Sequence, residues 1–187
     1  EIAKGGTVRR HEVVTPLADI LTPDMAAGMD EMISVRRWDI YKDPFEDAAH
    51  FDRYLDQSAG TLMWVAARIL GAADEAVVRD IGYAGGVAAW LRAIPDLEAR
   101  KRVPLLDGTA DGVRALAQGA LDRLQRARSN RRAISRAAAH ALLSGWQSGA
   151  ILKQAVADPQ AVTNGTLGQS EAKKRFTLMW GAATGRW

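Results

Sequence analysis

The residues of this 187-residue chain best suited to holding a divalent cation are its carboxylates. Mg²⁺ takes hard oxygen ligands, and acids three or four apart on a helix share a face. Asp43, Glu46 and Asp47, in DPFED, have such a spacing. The same stretch has the form of a capping box, with Asp43 as N-cap, Pro44 at the first helical position and Glu46 at the third. Capping is the preferred reading, because these acids would satisfy the free amides of a helix start and complement its dipole. Metal binding is the alternative. Asp52 and Asp56 form a second pair, four residues apart around Tyr54, and are expected on the wet edge of a helix. Asp30, Glu31 and Asp39 scatter too widely around their helix to share one ion, and Arg36 and Arg37 are expected to pair with them.

Other chemistries are poorly represented. His11, His50 and His140 stand far apart, without a second histidine at metal-ligand spacing. With no cysteine there is no disulfide, no thiolate zinc site and no thiol nucleophile. The nucleophile elbow, the P-loop and the dinucleotide fingerprint are absent. No apolar run approaches the roughly 18 residues of a membrane span. The net charge of +3 is modest, but RLQRARSNRRAISR, residues 123–136, is rich in arginine and free of acid. It would favour an anionic neighbour, although a solvated helix face is the simpler account.

The elements that must position these groups are helical throughout. Spacing at 3.6 residues recurs along the chain, and alternating strand patterns of useful length do not. EIAKGG has the form of a helix end closed by glycine, with further N-terminal sequence expected ahead of it. TPD at residue 22 caps a helix to about Tyr41, with Met25, Met29, Met32, Ile33 and Ile40 on one side. From DPFE a long buried helix is expected, with a stripe of Phe51, Tyr54, Leu55, Ser58, Ala59, Leu62, Ala66 and Ile69 ending at Gly71. The next helix starts near Asp74 and carries Val77, Ile81, Ala84, Ala88 and Leu91 inward. Gly82, Gly85 and Gly86 thin it for a close neighbour, and Pro95 bends or ends it. Helices over about 110–128 and 131–156, a linker at 158–170 and an amphipathic helix from Glu171 to about Ala183 complete the reading. It is all-α, in one domain spanning 1–187.

Two stretches resemble the squalene and phytoene synthase family. In YLDQSAGTLMWVAARILG, Tyr54, Ala59 and Gly60 fall on the family's Y-C-x-x-V-A-G-x-V-G segment, with Leu55 in place of its cysteine and Ser58 in place of its valine. GGVAAWLRAIPDLEARKRVPL is similar to the family's second aspartate-rich segment, Q-x-x-N-I-L-R-D-x-x-E-D, followed by Gly-Arg and Leu-Pro. Leu91 and Arg92 match its Leu-Arg, while Arg102 and Pro104 approximate the closing Arg and Pro. The functional positions depart from the pattern. Gly86 stands for the glutamine, Ala89 for the asparagine, Ala93 for the first aspartate and Leu97 for the last, so that only Asp96, in the glutamate position, keeps a carboxylate. RRWDIYKDPFED adds a weaker likeness, and the whole covers about residues 1 to 130. The family's first aspartate-rich motif would lie upstream of Glu1.

The resemblance implies an all-α helical bundle of the isoprenoid synthase type, here without its N-terminal helices, around a central cavity. In the family, acidic helices hold Mg²⁺ against allylic diphosphates, and the metal draws charge from the departing diphosphate. With these acids replaced, the chain looks closer to the family's degenerate branch, which includes a mitochondrial factor for assembly of respiratory complex I. The expected function is a non-catalytic isoprenoid- or lipid-binding or assembly factor, with no catalytic residue, no metal ligand and no cofactor. The positions implied to line the cavity or meet a diphosphate are Tyr54, Ser58, Gly60, Gly86, Ala89, Arg92, Asp96 and Arg102. Arg100 and Lys101 could assist the head group, and Arg92 could equally pair with Asp96.

The alternative is an active, Mg²⁺-dependent head-to-head prenyltransferase whose metal is held by the upstream motif and by acids such as Asp96. Expected partners are a prenyl diphosphate or lipid, a protein, and a membrane surface met peripherally through the basic helix and terminal tryptophans. Nucleic acid ranks last, since no recognition motif accompanies the basic run. The expected location is the cytoplasm, with the inner membrane as the surface of contact.

Overall fold

The computed structural model describes residues 2–187. Helices α1 (Val14–Ile20) and α2 (Pro23–Arg36) come first, and α2 starts as expected, with the Thr22 hydroxyl accepting from the Met25 amide. It ends at Arg36 and passes into a 3₁₀ turn, Arg37–Ile40. Met25 is buried on this helix, but Ile33 and Ile40 are exposed, so the expected inward stripe holds only for its first turns.

Helix α3 (Ala48–Leu55) begins later than the DPFE reading placed it. Its N-cap is Asp47, which accepts from the His50 amide at 2.7 Å, and Asp43 lies outside any helix. The cause is Phe45, which the capping-box reading placed inside the helix. It is buried and stacked on Trp38 with ring centroids 4.1 Å apart, and this draws the preceding chain out of helical geometry.

Helices α3 and α4 (Thr61–Leu70) form one rod interrupted by a π-helical turn, Asp56–Gly60. Two observations account for the turn. The Ser58 hydroxyl donates back to the Tyr54 carbonyl, a bond that competes with the normal ladder. Arg79 inserts from outside, donating to the Asp56 carboxylate at 3.0 Å, to its carbonyl at 3.5 Å and to the Thr61 hydroxyl at 3.3 Å. A single 3.6-residue period cannot be carried through such a turn. The expected stripe is therefore buried as far as Ser58, after which Thr61, Val65 and Ala67 are buried instead, and Leu62 and Ile69 are exposed.

Helix α5 (Glu75–Ala99) is the axis of the fold. Asp74 caps it, and Val77, Ile81, Ala84, Ala88 and Leu91 are all buried, as their spacing requires. Pro95 does not end it, since helical geometry continues to Ala99. The glycines serve close approach. A Cβ on Gly82 would lie 2.7 Å from Gly60 Cα, and one on Gly86 would lie 2.9 Å from Ala59 Cβ. The π turn thus rests directly on the α5 backbone. Helix α6 (Ala110–Ser129), capped by Thr109, packs on another face of α5, where Arg126 pairs with Asp80 and Arg123 lies over the Tyr83 ring, 3.8 Å from its centroid.

The remainder is more broken than its periodicity implied. Instead of one helix over 131–156 there are a 3₁₀ turn, α7 (Ala139–Leu142), a second 3₁₀ turn and α8 (Ser148–Ala157). Ile134 leaves helical geometry to form an isolated antiparallel bridge with Ala73, flanked by hydrogen bonds from Asp74 to Ala133 and from Ser135 to Ala72. The expected linker contains α9 (Gln160–Thr163), and its Val162 and Leu167 are buried in the main core. Helix α10 (Glu171–Thr184) ends the chain as expected. Among the described residues there is no β-strand, and no helix is long and apolar enough to cross a membrane.

Candidate functional site

A cavity of about 600 Å³ lies between α2, the π-containing rod and α5. Its α5 wall is made by Gly86, Ala89, Ala93 and Leu97, which follow one another at three or four residues along a single face. The rod contributes Tyr54, Leu55, Ser58, Ala59 and Leu62, and α2 contributes Met32. A second cavity of about 420 Å³, reaching α7 and α8, shares Ala59, Leu62, Gly86 and Ala89 with the first. The two therefore meet along the seam where glycine and alanine keep the helices slim.

The polar groups gather at one end. Arg36, Asp39, Tyr54 and Arg102 line the first cavity there. The Tyr54 hydroxyl donates to Asp39 at 2.7 Å, and Arg36 pairs with the same carboxylate at 2.7 Å. Arg102 has no carboxylate partner among the described residues. Its guanidinium lies over the Trp38 ring, 4.8 Å from the centroid, and donates to the carbonyls of Trp38, Asp39 and Tyr41. Two guanidiniums against one carboxylate leave this end positive. Trp90 completes the wall, held by its indole N–H to the Pro104 carbonyl at 2.9 Å and packed edge-on to Tyr54, Phe45 and Phe51.

Of the residues singled out from the sequence, Tyr54, Ser58, Gly86, Ala89 and Arg102 come together on this cavity. Gly60 is buried against Gly82 and serves the helix contact. Arg92 and Asp96 are exposed, lie off the lining, and form no ion pair with each other. The carboxylates of the rod are committed elsewhere: Asp52 accepts from the Tyr83 hydroxyl, and Asp56 pairs with Arg79. The pairing of Arg36 with Asp39 is as their i, i+3 spacing led one to expect, whereas no local signal tied Asp39 to Tyr54 or to the cavity.

Among the described residues no three acid or histidine side chains converge on a point that could hold a metal. The α5 wall offers no oxygen ligand, and Asp39, the cavity's one carboxylate, is engaged by Tyr54 and Arg36. These residues do not fit a magnesium clamp, which needs several oxygen donors.

The sequence model of squalene/phytoene synthases matches residues 2–144. The chain belongs to the squalene/phytoene synthase family. The match runs from the first described residue through α5, α6 and α7, and so contains every side chain of the first cavity. The helical architecture agrees with the isoprenoid synthase type. Neither the curated proteins nor the solved structures contain a match. Ala89, Ala93 and Leu97 line the cavity, whereas Asp96 does not.

Two phenols shape the alkaline behaviour. Burial, and then the hydrogen bond to Asp39, pushes the Tyr54 hydroxyl above its ordinary 10.0; burial and Asp52 do the same for Tyr83. A phenol raised by folding stabilises the fold while neutral. Its contribution is whole below pH 10 and is lost as the pH climbs through the raised value. The urea midpoint is expected to hold steady up to pH 10.0, the unfolded value, and to fall above it. The Tyr54→Phe/Tyr83→Phe variant should show a shallower fall, and an equal slope would remove these two groups from the account.

Proposed function

We propose that this chain is a non-catalytic member of its family that holds an isoprenoid chain without a metal clamp. The observation that carries this reading is the α5 wall of Gly86, Ala89, Ala93 and Leu97, which is apolar along its length, at positions that the resemblance sets against the family's second aspartate-rich segment. Such a surface suits a hydrocarbon chain and gains from covering it. The positive end, with Arg102 and Arg36, suits an anionic head such as a diphosphate, held by charge-assisted hydrogen bonds. The two joined cavities fall in the size range of small-molecule sites. Binding without turnover suits a carrier or an assembly factor that responds to isoprenoid supply.

Calorimetric titration with farnesyl and geranylgeranyl diphosphate, in EDTA and in Mg²⁺, tests this. Binding of equal strength in both, with the ligand recovered intact, is the expected result. Magnesium-dependent binding with release of diphosphate would overturn it in favour of a working prenyltransferase.

A further inference from the structure

Helix α10 turns its apolar side away from the protein. Gly181 is its one buried residue, where a Cβ would lie 2.8 Å from the Arg186 carbonyl and 3.6 Å from Leu143. Lys174 and Thr177, half-buried, share that inner side. At 100° per residue, Ala172, Phe176, Met179, Trp180 and Ala183 fall in a sector of about 100° on the opposite side. Phe176 is 68% exposed, Met179 71% and Trp180 56%, and the Phe176 and Trp180 rings stack at 6.5 Å.

The edges of the stripe are cationic. Lys173 and Arg175 flank it on either side, both exposed and without an acidic partner among the described residues, while the helix's one acid, Glu171, is paired with Lys174. At the C-terminal end, Arg131 and Arg136 line a cleft of about 430 Å³ beside Ala183, Thr184 and Trp187, and no acid lines it. Arg186 is exposed beside it.

We propose that α10 is an interfacial helix that docks the protein on an anionic lipid bilayer, with Phe176, Met179 and Trp180 entering the acyl boundary and the flanking cations meeting lipid phosphates. Charge selects this occupant. A bilayer of anionic lipid offers hydrocarbon and negative charge in the same two layers as the stripe and its rim. A second copy docking here would set Lys173 and Arg175 against their own like charges. The inference is independent of what the cavity binds.

Sedimentation with vesicles is the test, using phosphatidylcholine alone and phosphatidylcholine with about a third phosphatidylglycerol. The protein should sediment with the anionic vesicles, less so as salt is raised, and stay in solution with the neutral ones. Phe176→Ser/Trp180→Ser should weaken binding at least about tenfold, and Lys173→Glu/Arg175→Glu should abolish the preference for anionic lipid. The altered side chains are exposed, so thermal midpoints should not move. Should they move, the unaltered protein still decides: vesicles with brominated acyl chains should quench its fluorescence more than that of Trp180→Phe. Undiminished sedimentation of the double serine variant overturns the proposal, as does absence of vesicle binding. Self-association of the unaltered chain that the serine variant loses, without vesicle binding, assigns the face to a second copy and likewise overturns it.

Discussion

The Ala93→Asp/Leu97→Asp double variant is expected to bind a prenyl diphosphate at least about tenfold more weakly than the unaltered chain in EDTA, about 1.4 kcal/mol. Both positions line the cavity from one face of α5. A hydrocarbon chain lying on that face would strip water from two carboxylates set among Leu62, Gly86 and Ala89, which offer them no hydrogen-bonding side chain. The new acids would also repel the diphosphate. In Mg²⁺ the same pair, four residues apart, supplies the oxygen donors that the wall lacks, so affinity should recover there and a magnesium requirement should appear. Calorimetry in the two buffers reads both effects. Both sites are half-buried rather than core, and circular dichroism should report an unchanged helix content. Equal affinity of variant and parent in EDTA would mean that the ligand does not touch α5.

The second large effect is one of stability. In a helix interior, Gly→Ala ordinarily gains about 0.5–1 kcal/mol. At Gly82 the new methyl would stand 2.7 Å from Gly60 Cα and 2.9 Å from the Ala59 carbonyl, both backbone atoms that cannot rotate away. Overpacking of this kind costs about 1–3 kcal/mol, and the rigidity of the obstacle places Gly82 at the upper end, so Gly82→Ala should lose about 2 kcal/mol net in urea denaturation. Gly82→Leu should not fold. Gly119, in α6 with nothing within 4 Å of its would-be Cβ, is the matched control, and Gly119→Ala should gain stability. A Gly82→Ala variant as stable as its parent would show that the two helices can separate, and the cavities along their seam would then be adjustable.

What the sequence disclosed follows from what is local. The start of α5 and its inner face were legible because Asp74 and the Val77–Ile81–Ala84–Ala88–Leu91 spacing express nearest-neighbour physics. The start of α3 was not, because Phe45 answers to Trp38, Tyr54 and Trp90, and a ring cluster outweighs a capping box. The break at Ile134 depends on Ala73, some sixty residues earlier, which no local period reveals. In the site, the slim α5 face and Tyr54 were accessible through the family likeness. Arg92 and Asp96 match the pattern by position, yet they stand on the outer side of α5, a matter of helix rotation rather than of residue type. The partnership of Asp39 with Tyr54 crosses a turn whose path only the fold determines.

The π turn at 56–60 has a bearing on how such a cavity could change over generations. A turn of this kind is a helix that has absorbed one extra residue. Removing a single codon there would restore regular winding and leave the Thr61–Leu70 half of the rod facing nearly as it does now, because the residues of a π turn together sweep about as much angle as one fewer residue of regular helix at about 100° each. Leu62, Met63 and Ala66 would keep their places, and the change would fall on the turn itself, whose Ser58 and Ala59 line the chambers. Ligand preference in this lineage is thus open to revision by chain length as well as by residue identity.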